Sequence, residues 1–86
     1  MITGVNTHHP AGGTDFHIQI EDLSDCESLD ARVYVSGRVV FHRRASYREA
    51  VLGLGNPKHV EAAVQEELAK LLALIKAAID RGKITA

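Results

Sequence analysis

Eighty-six residues, 45% hydrophobic and 24% charged, suit one small globular domain and exclude a disordered chain. The net charge of −1 argues against a strongly basic nucleic-acid platform. A lone cysteine, Cys26, excludes an internal disulfide, and no apolar run reaches the length of a membrane span. These features, with an N-terminus lacking a basic-then-apolar signal pattern, lead us to expect a soluble, cytoplasmic protein. Trp is absent and aromatics make up 5%, so the core must be aliphatic.

The first strand is expected over residues 2–8, followed by a loop at Pro10-Ala11-Gly12-Gly13. Phe16, Ile18 and Ile20 then alternate with His17, Gln19 and Glu21, which predicts a half-buried strand over 15–21. Residues 22–28 read as an acidic loop. Strands over 29–35 and 38–45 flank Ser36-Gly37 and predict a hairpin. A two-residue turn would pair Arg32 with Phe41 and mix charge into the apolar face. A three-residue loop ending at Gly37 would pair Val33 with Val39 and Ala31 with Phe41. That register is expected because it places Leu29, Ala31, Val33, Val39 and Phe41 together.

Ser46-Tyr47-Arg48-Glu49 has capping-box spacing and predicts a short helix over 47–52, stopped by Gly53 and Gly55. The string Gly53-Leu54-Gly55-Asn56-Pro57 is similar to one that opens peptidyl-tRNA hydrolases. There it follows a strand, whereas here it joins two helices and the remainder of that enzyme is missing. Asn56 as N-cap and Pro57 at the first helical position predict a long helix over 57–81. Val60, Val64, Leu68, Leu71, Leu72, Ile75, Ala78 and Ile79 form its apolar stripe.

Such a helix would be about 37 Å long, against about 23 Å for strands of seven residues. The excess stripe needs cover, which predicts a homodimer with Leu71, Leu74, Ile75, Ala78 and Ile79 as its contact. The expected fold is therefore a single α+β domain over 1–86. An antiparallel meander sheet of three or four strands carries a short helix and one long C-terminal helix packed on one face.

Charge is distributed unevenly. Residues 1–31 hold six acids and no Lys or Arg, and residues 32–58 hold six bases against Glu49. The sheet face opposite the helix should present His17, Gln19, Glu21, Arg32, Tyr34, His42 and Arg44, a polar and partly basic surface. No Ser-His-Asp, Cys-His or paired-carboxylate spacing marks a catalytic site. Cys26 lies between Asp25 and Glu27 and is not read as a nucleophile. The five histidines lack reliable ligand spacing, so no metal or cofactor is assigned.

Gly4-x-Asn6-Thr7 followed by Phe16-His17-Ile18-Gln19-Ile20-Glu21-Asp22 resembles a family of short uncharacterised bacterial proteins. That family shares a Gly-x-Asn-Thr start, an aromatic-His-aliphatic-Gln-x-Glu-Asp strand and a Ser-Tyr pair like Ser46-Tyr47 before a C-terminal helix. The chain departs from it at Ile20, where the family carries Thr. The resemblance implies weight on His17, Gln19, Glu21 and Asp22 and no particular activity.

The expected function is a non-enzymatic homodimeric interaction or binding module that meets a protein partner through the outer sheet face. One alternative is a nucleic-acid-binding domain using Arg32, Arg38, Arg43, Arg44 and Tyr34. Another is a small metal-dependent or acid–base enzyme around His17 and His42.

Overall fold

The computed structural model describes residues 4–86. Its elements are strands β1 (Gly4–Ala11), β2 (Thr14–Leu23), β3 (Ser28–Val35) and β4 (Arg38–Ser46), then helices α1 (Arg48–Val51) and α2 (Pro57–Asp80). The strands pair antiparallel in chain order, β1-β2-β3-β4, so the fold is the α+β meander that the alternation predicted. Ile2 and Thr3, the expected start of the first strand, lie outside the described residues.

β1 and β2 pair through to Ala11↔Thr14, so Pro10 and Ala11 belong to the strand and not to a loop. Only Gly12 and Gly13 turn, at φ +56° and +81°. Positive φ at both central positions matches the right-handed twist of the strands, and glycine reaches it without a steric penalty. The expected acidic loop also shrinks. β2 runs to Leu23, one 3-10 turn covers Ser24–Cys26, and Ser28 already pairs in β3.

The β3–β4 register differs from the expected one. Tyr34 pairs with Val39 and Val35 with Arg38, leaving a two-residue turn at Ser36-Gly37 with φ +51° and +79°. The pairing then shifts, and Val33 faces Phe41 and Ala31 faces Arg43. Val40 is thus the extra residue of a β-bulge, which resets the alternation that the short turn alone would put out of phase. Val39 consequently lies on the outer face and is 49% exposed, while Val40 packs against the core. Leu29, Ala31, Val33 and Phe41 keep the inner positions expected of them, joined by Ala45 and the exposed Arg43.

The capping box does not form. Ser46 remains in β4 opposite Ser28, and Tyr47 takes the N-cap position of α1. The Ser46 hydroxyl accepts a hydrogen bond from the Arg48 amide at 3.2 Å instead. Tyr47 is held in place by its amide, which donates to the Glu27 carbonyl at 2.8 Å, and its ring is buried.

α2 begins as expected, with the Asn56 side chain accepting from the Lys58 amide at 2.8 Å and Pro57 at its first turn. It closes with a paired C-terminal cap: Gly82, at φ +73°, donates to the Ile79 carbonyl and Lys83 to that of Ala78. The cap folds the chain back so that Ile84 enters the core, at 5% exposure.

The core lies between one sheet face and α2. Phe16, Ile18 and Ile20 come from β2, Leu29, Ala31 and Val33 from β3, and Val64, Leu68, Leu71, Ile75 and Ile79 from α2. Each such aliphatic side chain contributes about 1.5–3 kcal/mol on burial.

The sheet is long enough to run beside the whole helix, contrary to the expectation of a stripe that overhangs it. β2 has ten residues and reaches about 33 Å, nearly matching the roughly 36 Å of the 24-residue α2. The helix starts beside Asp22 and Tyr47 and ends where Asp80 meets His9 of β1 at 2.7 Å, so it runs along the strands and not past them. Of the expected dimer contact, Leu71, Ile75 and Ile79 are buried within the chain, Ala78 is half-buried, and Leu74 alone is widely exposed, at 61%.

Candidate binding face of the sheet

Strand alternation brings the seven residues expected of the outer surface, His17, Gln19, Glu21, Arg32, Tyr34, His42 and Arg44, onto the face turned away from α2. Register sorts them into cross-strand rows. Gly4, Glu21, Asp30 and Arg44 form one row, Asn6, Gln19, Arg32 and His42 the next, and His8, His17, Tyr34 and Val39 the third.

The first two rows meet at Asp30. Its carboxylate is 6% exposed, although it stands on the outer face, because the side chains around it cover it. His42 Nε2 lies 2.7 Å from Oδ1, Arg32 Nε 3.4 Å from Oδ2 and Arg44 Nε 3.6 Å from Oδ1. The three partners are themselves 47–55% exposed. The hydrogen bond from His42 holds the Asp30 carboxyl below the usual carboxylate range. Burial opposes this, and the charges of His42, Arg32 and Arg44 reinforce it.

Both arginines meet Asp30 through Nε, which leaves their terminal amino groups unused in the pair. One carboxylate of low exposure thus gathers two guanidinium groups and the His42 ring, whose Nε2–H is taken by Asp30. Beside them, Gly4, Asn6, Gln19, Glu21 and Arg32 line a shallow cleft of about 390 Å³. Gly4 has a packing reason at its place, since a Cβ there would lie 2.9 Å from the Ile20 carbonyl oxygen. Lacking a side chain, it also leaves its end of the row open.

The third row is aromatic. The His8 and His17 rings stack with centroids 4.4 Å apart and planes 5° from parallel, and the Tyr34 ring is 5.9 Å from His17. His8 Nδ1 meets Asp15 at 2.8 Å, and His17 Nε2 is hydrogen-bonded to Asn6. Face-to-face stacking aims the two imidazoles alongside each other, not at one ion. Among the described residues, no group of three or more His, Cys, Asp or Glu side chains is placed to hold a metal ion.

His17 and His42, paired in the enzyme alternative, stand in different rows with different partners, Asn6 and Asp30. Of the Arg-rich hairpin, Arg32 and Arg44 share Asp30, whereas Arg43 occupies the inner parity, opposite Ala31. Asp30 itself was missed by the sequence reading. Its signal was available, because it shares strand parity with Arg32 and Tyr34. His8 was missed because the alternation of β1 is weak.

No helix of the described chain is long and apolar enough to cross a membrane. Comparison with known proteins finds no matching family model, no matching curated protein and no matching solved structure.

Proposed function

We propose that this chain is a non-enzymatic binding module whose outer sheet face takes an anionic group of its partner between Arg32 and Arg44, with His42 beside them. The observation that carries this reading is Asp30, buried beneath the three and orienting them before any ligand arrives. Preorganised donors lose less conformational entropy on binding than free surface side chains. The adjoining cleft, with Asn6, Gln19 and Glu21 on its wall, gives the ligand's remaining polar groups a place to hydrogen-bond.

The nucleic-acid alternative draws less from this geometry. Asp30 offsets part of the charge, Arg43 faces the other side, and Tyr34 stands beside histidines with no second large aromatic for a base to stack on.

Titration with inorganic phosphate and with succinate, followed by amide and arginine Nε chemical shifts, tests the proposal. Saturable changes centred on Arg32, His42 and Arg44 are expected. Arg32→Gln and Arg44→Gln should each weaken binding about tenfold, near 1.4 kcal/mol. Shifts spread equally over Arg38, Arg43 and Lys83 would mean general ion binding and would remove the proposal.

A further inference from the structure

The sheet has two edges, and they differ. β1 contains Pro10, which lacks a backbone donor, and its inner side is tied to α2 through His9 and Asp80. β4 has nine residues and no proline, and no strand lies on its outer side among the described residues. Beyond the bulge at Val40 its pairing with β3 is regular from Phe41 to Ser46, so its free edge is straight enough to template another strand.

Beneath that edge, α2 leaves an apolar trough. Phe41, Leu74 and Ile84 line one depression of about 180 Å³, and Leu29, Ala45 and Tyr47 line another of about 280 Å³, whose far wall carries Glu67 in an ion pair with Lys70 at 3.2 Å. Arg43, Leu71 and Leu74 belong to both and mark the ridge between them. Leu74, at 61% exposure, is the large apolar side chain of α2 that the chain's own core does not use.

Charge selects the occupant. β4 carries Arg38, His42, Arg43 and Arg44 and no acid, and Lys83 stands on the rim of the trough. Arg38, Arg43 and Lys83 join no ion pair among the described residues. Antiparallel pairing of β4 with a second copy would lay two basic strands side by side with no acid on either to offset them, which is unfavourable. An acidic strand meets the opposite sign at each of them.

Strand geometry then fixes the pattern. Alternate residues share a face about 6.6 Å apart, so the residue opposite Arg43 has neighbours two before and two after it opposite Phe41 and Ala45. These neighbours lie over the two depressions.

We infer that the β4 edge binds an extended acidic peptide as a fifth strand, with an apolar-x-acid-x-apolar pattern whose acid faces Arg43 and whose apolar residues enter the trough beside Leu74. The pattern reads alike in both directions, so it applies to parallel and antiparallel addition. This surface is separate from the Asp30 face.

The test uses fluorescein-labelled peptides with an Ile-Thr-Glu-Thr-Ile centre and acidic flanks, beside a version with Lys for the central Glu. Fluorescence anisotropy should show the Glu peptide binding at least tenfold tighter, and amides of Phe41–Ser46 should gain protection from exchange. Arg43→Glu, an exposed position, should reverse the preference between the two peptides, and Leu74→Ser should weaken both with an unchanged circular dichroism spectrum. Equal binding of the two peptides, binding of neither, or a preference unmoved by Arg43→Glu would overturn the inference. So would a dimer in light scattering that the Glu peptide fails to disperse, because the edge would then belong to a second copy.

Discussion

The Tyr47 hydroxyl donates to Asp22 Oδ1 at 2.6 Å, joining the end of β2 to the segment that leaves β4 for α1. Tyr47 is 5% exposed, and a cleft formed with Pro57, Val60 and Val64 lies against the pair. The bond therefore ties together the sheet end, the short helix and the start of α2.

Removing that hydroxyl should be costly. Tyr47→Phe leaves the ring packing intact but deprives Asp22 of its donor, and a hydrogen bond to a charged group contributes about 1.5–3 kcal/mol. Urea denaturation should register a loss in that range. Burial, followed by the hydrogen bond and charge of Asp22 and the charge of Glu27, pushes the Tyr47 phenol well above its ordinary value. Its folded-state pKa is raised, so its stabilisation is complete below the unfolded value, near 10, and declines as pH rises from there. The wild type should lose stability across that alkaline window more steeply than Tyr47→Phe. Equal slopes would mean that the phenol is not the group responsible.

Acid should act through Asp30. Its folded-state pKa is depressed, so its contribution is present above the unfolded value, near 3.9, and disappears as pH falls through the folded one. Asp30→Asn keeps the shape but removes the charge facing Arg32, His42 and Arg44. At neutral pH the variant should be less stable by about 1 kcal/mol, because the partners are half-exposed and solvent screens their charges. Below pH ~4 the difference between the two proteins should begin to narrow as the unfolded chain takes up the proton, and it should close as pH falls through the folded pKa, where the wild-type carboxyl is protonated as well. Thermal melts of both proteins over pH 2–7 supply the comparison, and a gap that widens in acid would contradict the assignment.

The turn and bulge of the β3–β4 hairpin can be separated experimentally. Ser36 holds φ +51°, a left-handed conformation that Asn tolerates better than Ser, and Gly37 follows it. Ser36→Asn should stabilise the fold by about 0.5 kcal/mol, part of the roughly 1 kcal/mol that this conformation costs most residues, raising Tm. Deleting Val40 removes the bulge but leaves Val39 opposite Tyr34 and Phe41 opposite Val33, so His42 and Arg44 keep the outer face and unfolding should stay cooperative, with a loss of about 1–2 kcal/mol for the packing of Val40. A Val40 deletion that no longer melts cooperatively would show that the bulge itself, and not only the register it sets, is needed for the fold.

Periodicity made most of the architecture legible. Phe16, Ile18 and Ile20 identified β2, and Asn56-Pro57 and Gly82 bracketed α2 because capping depends on residues adjacent in the chain. The seven expected residues of the outer face were legible for the same reason, since side chains two apart in a strand share a side. The turn was harder. A two-residue turn with a bulge and a three-residue loop both bring Phe41 to the core, but they differ in whether Val39 or Val40 turns inward and in whether Phe41 meets Val33 or Ala31. Ser46 misled because its capping spacing was matched by an equally local competitor, pairing with Ser28, which the distant β3 supplies.

By itself, then, the sequence determined an antiparallel sheet with one aliphatic and one polar face under a long helix. Alternation and capping are properties of neighbouring residues, and they hold whatever the rest of the chain does. Tertiary structure alone decided that α2 is covered along its length, because strand length depends on pairing between segments. It alone placed Asp30 beneath Arg32, His42 and Arg44. That arrangement requires the β3–β4 register, and the register depends on a bulge of one residue.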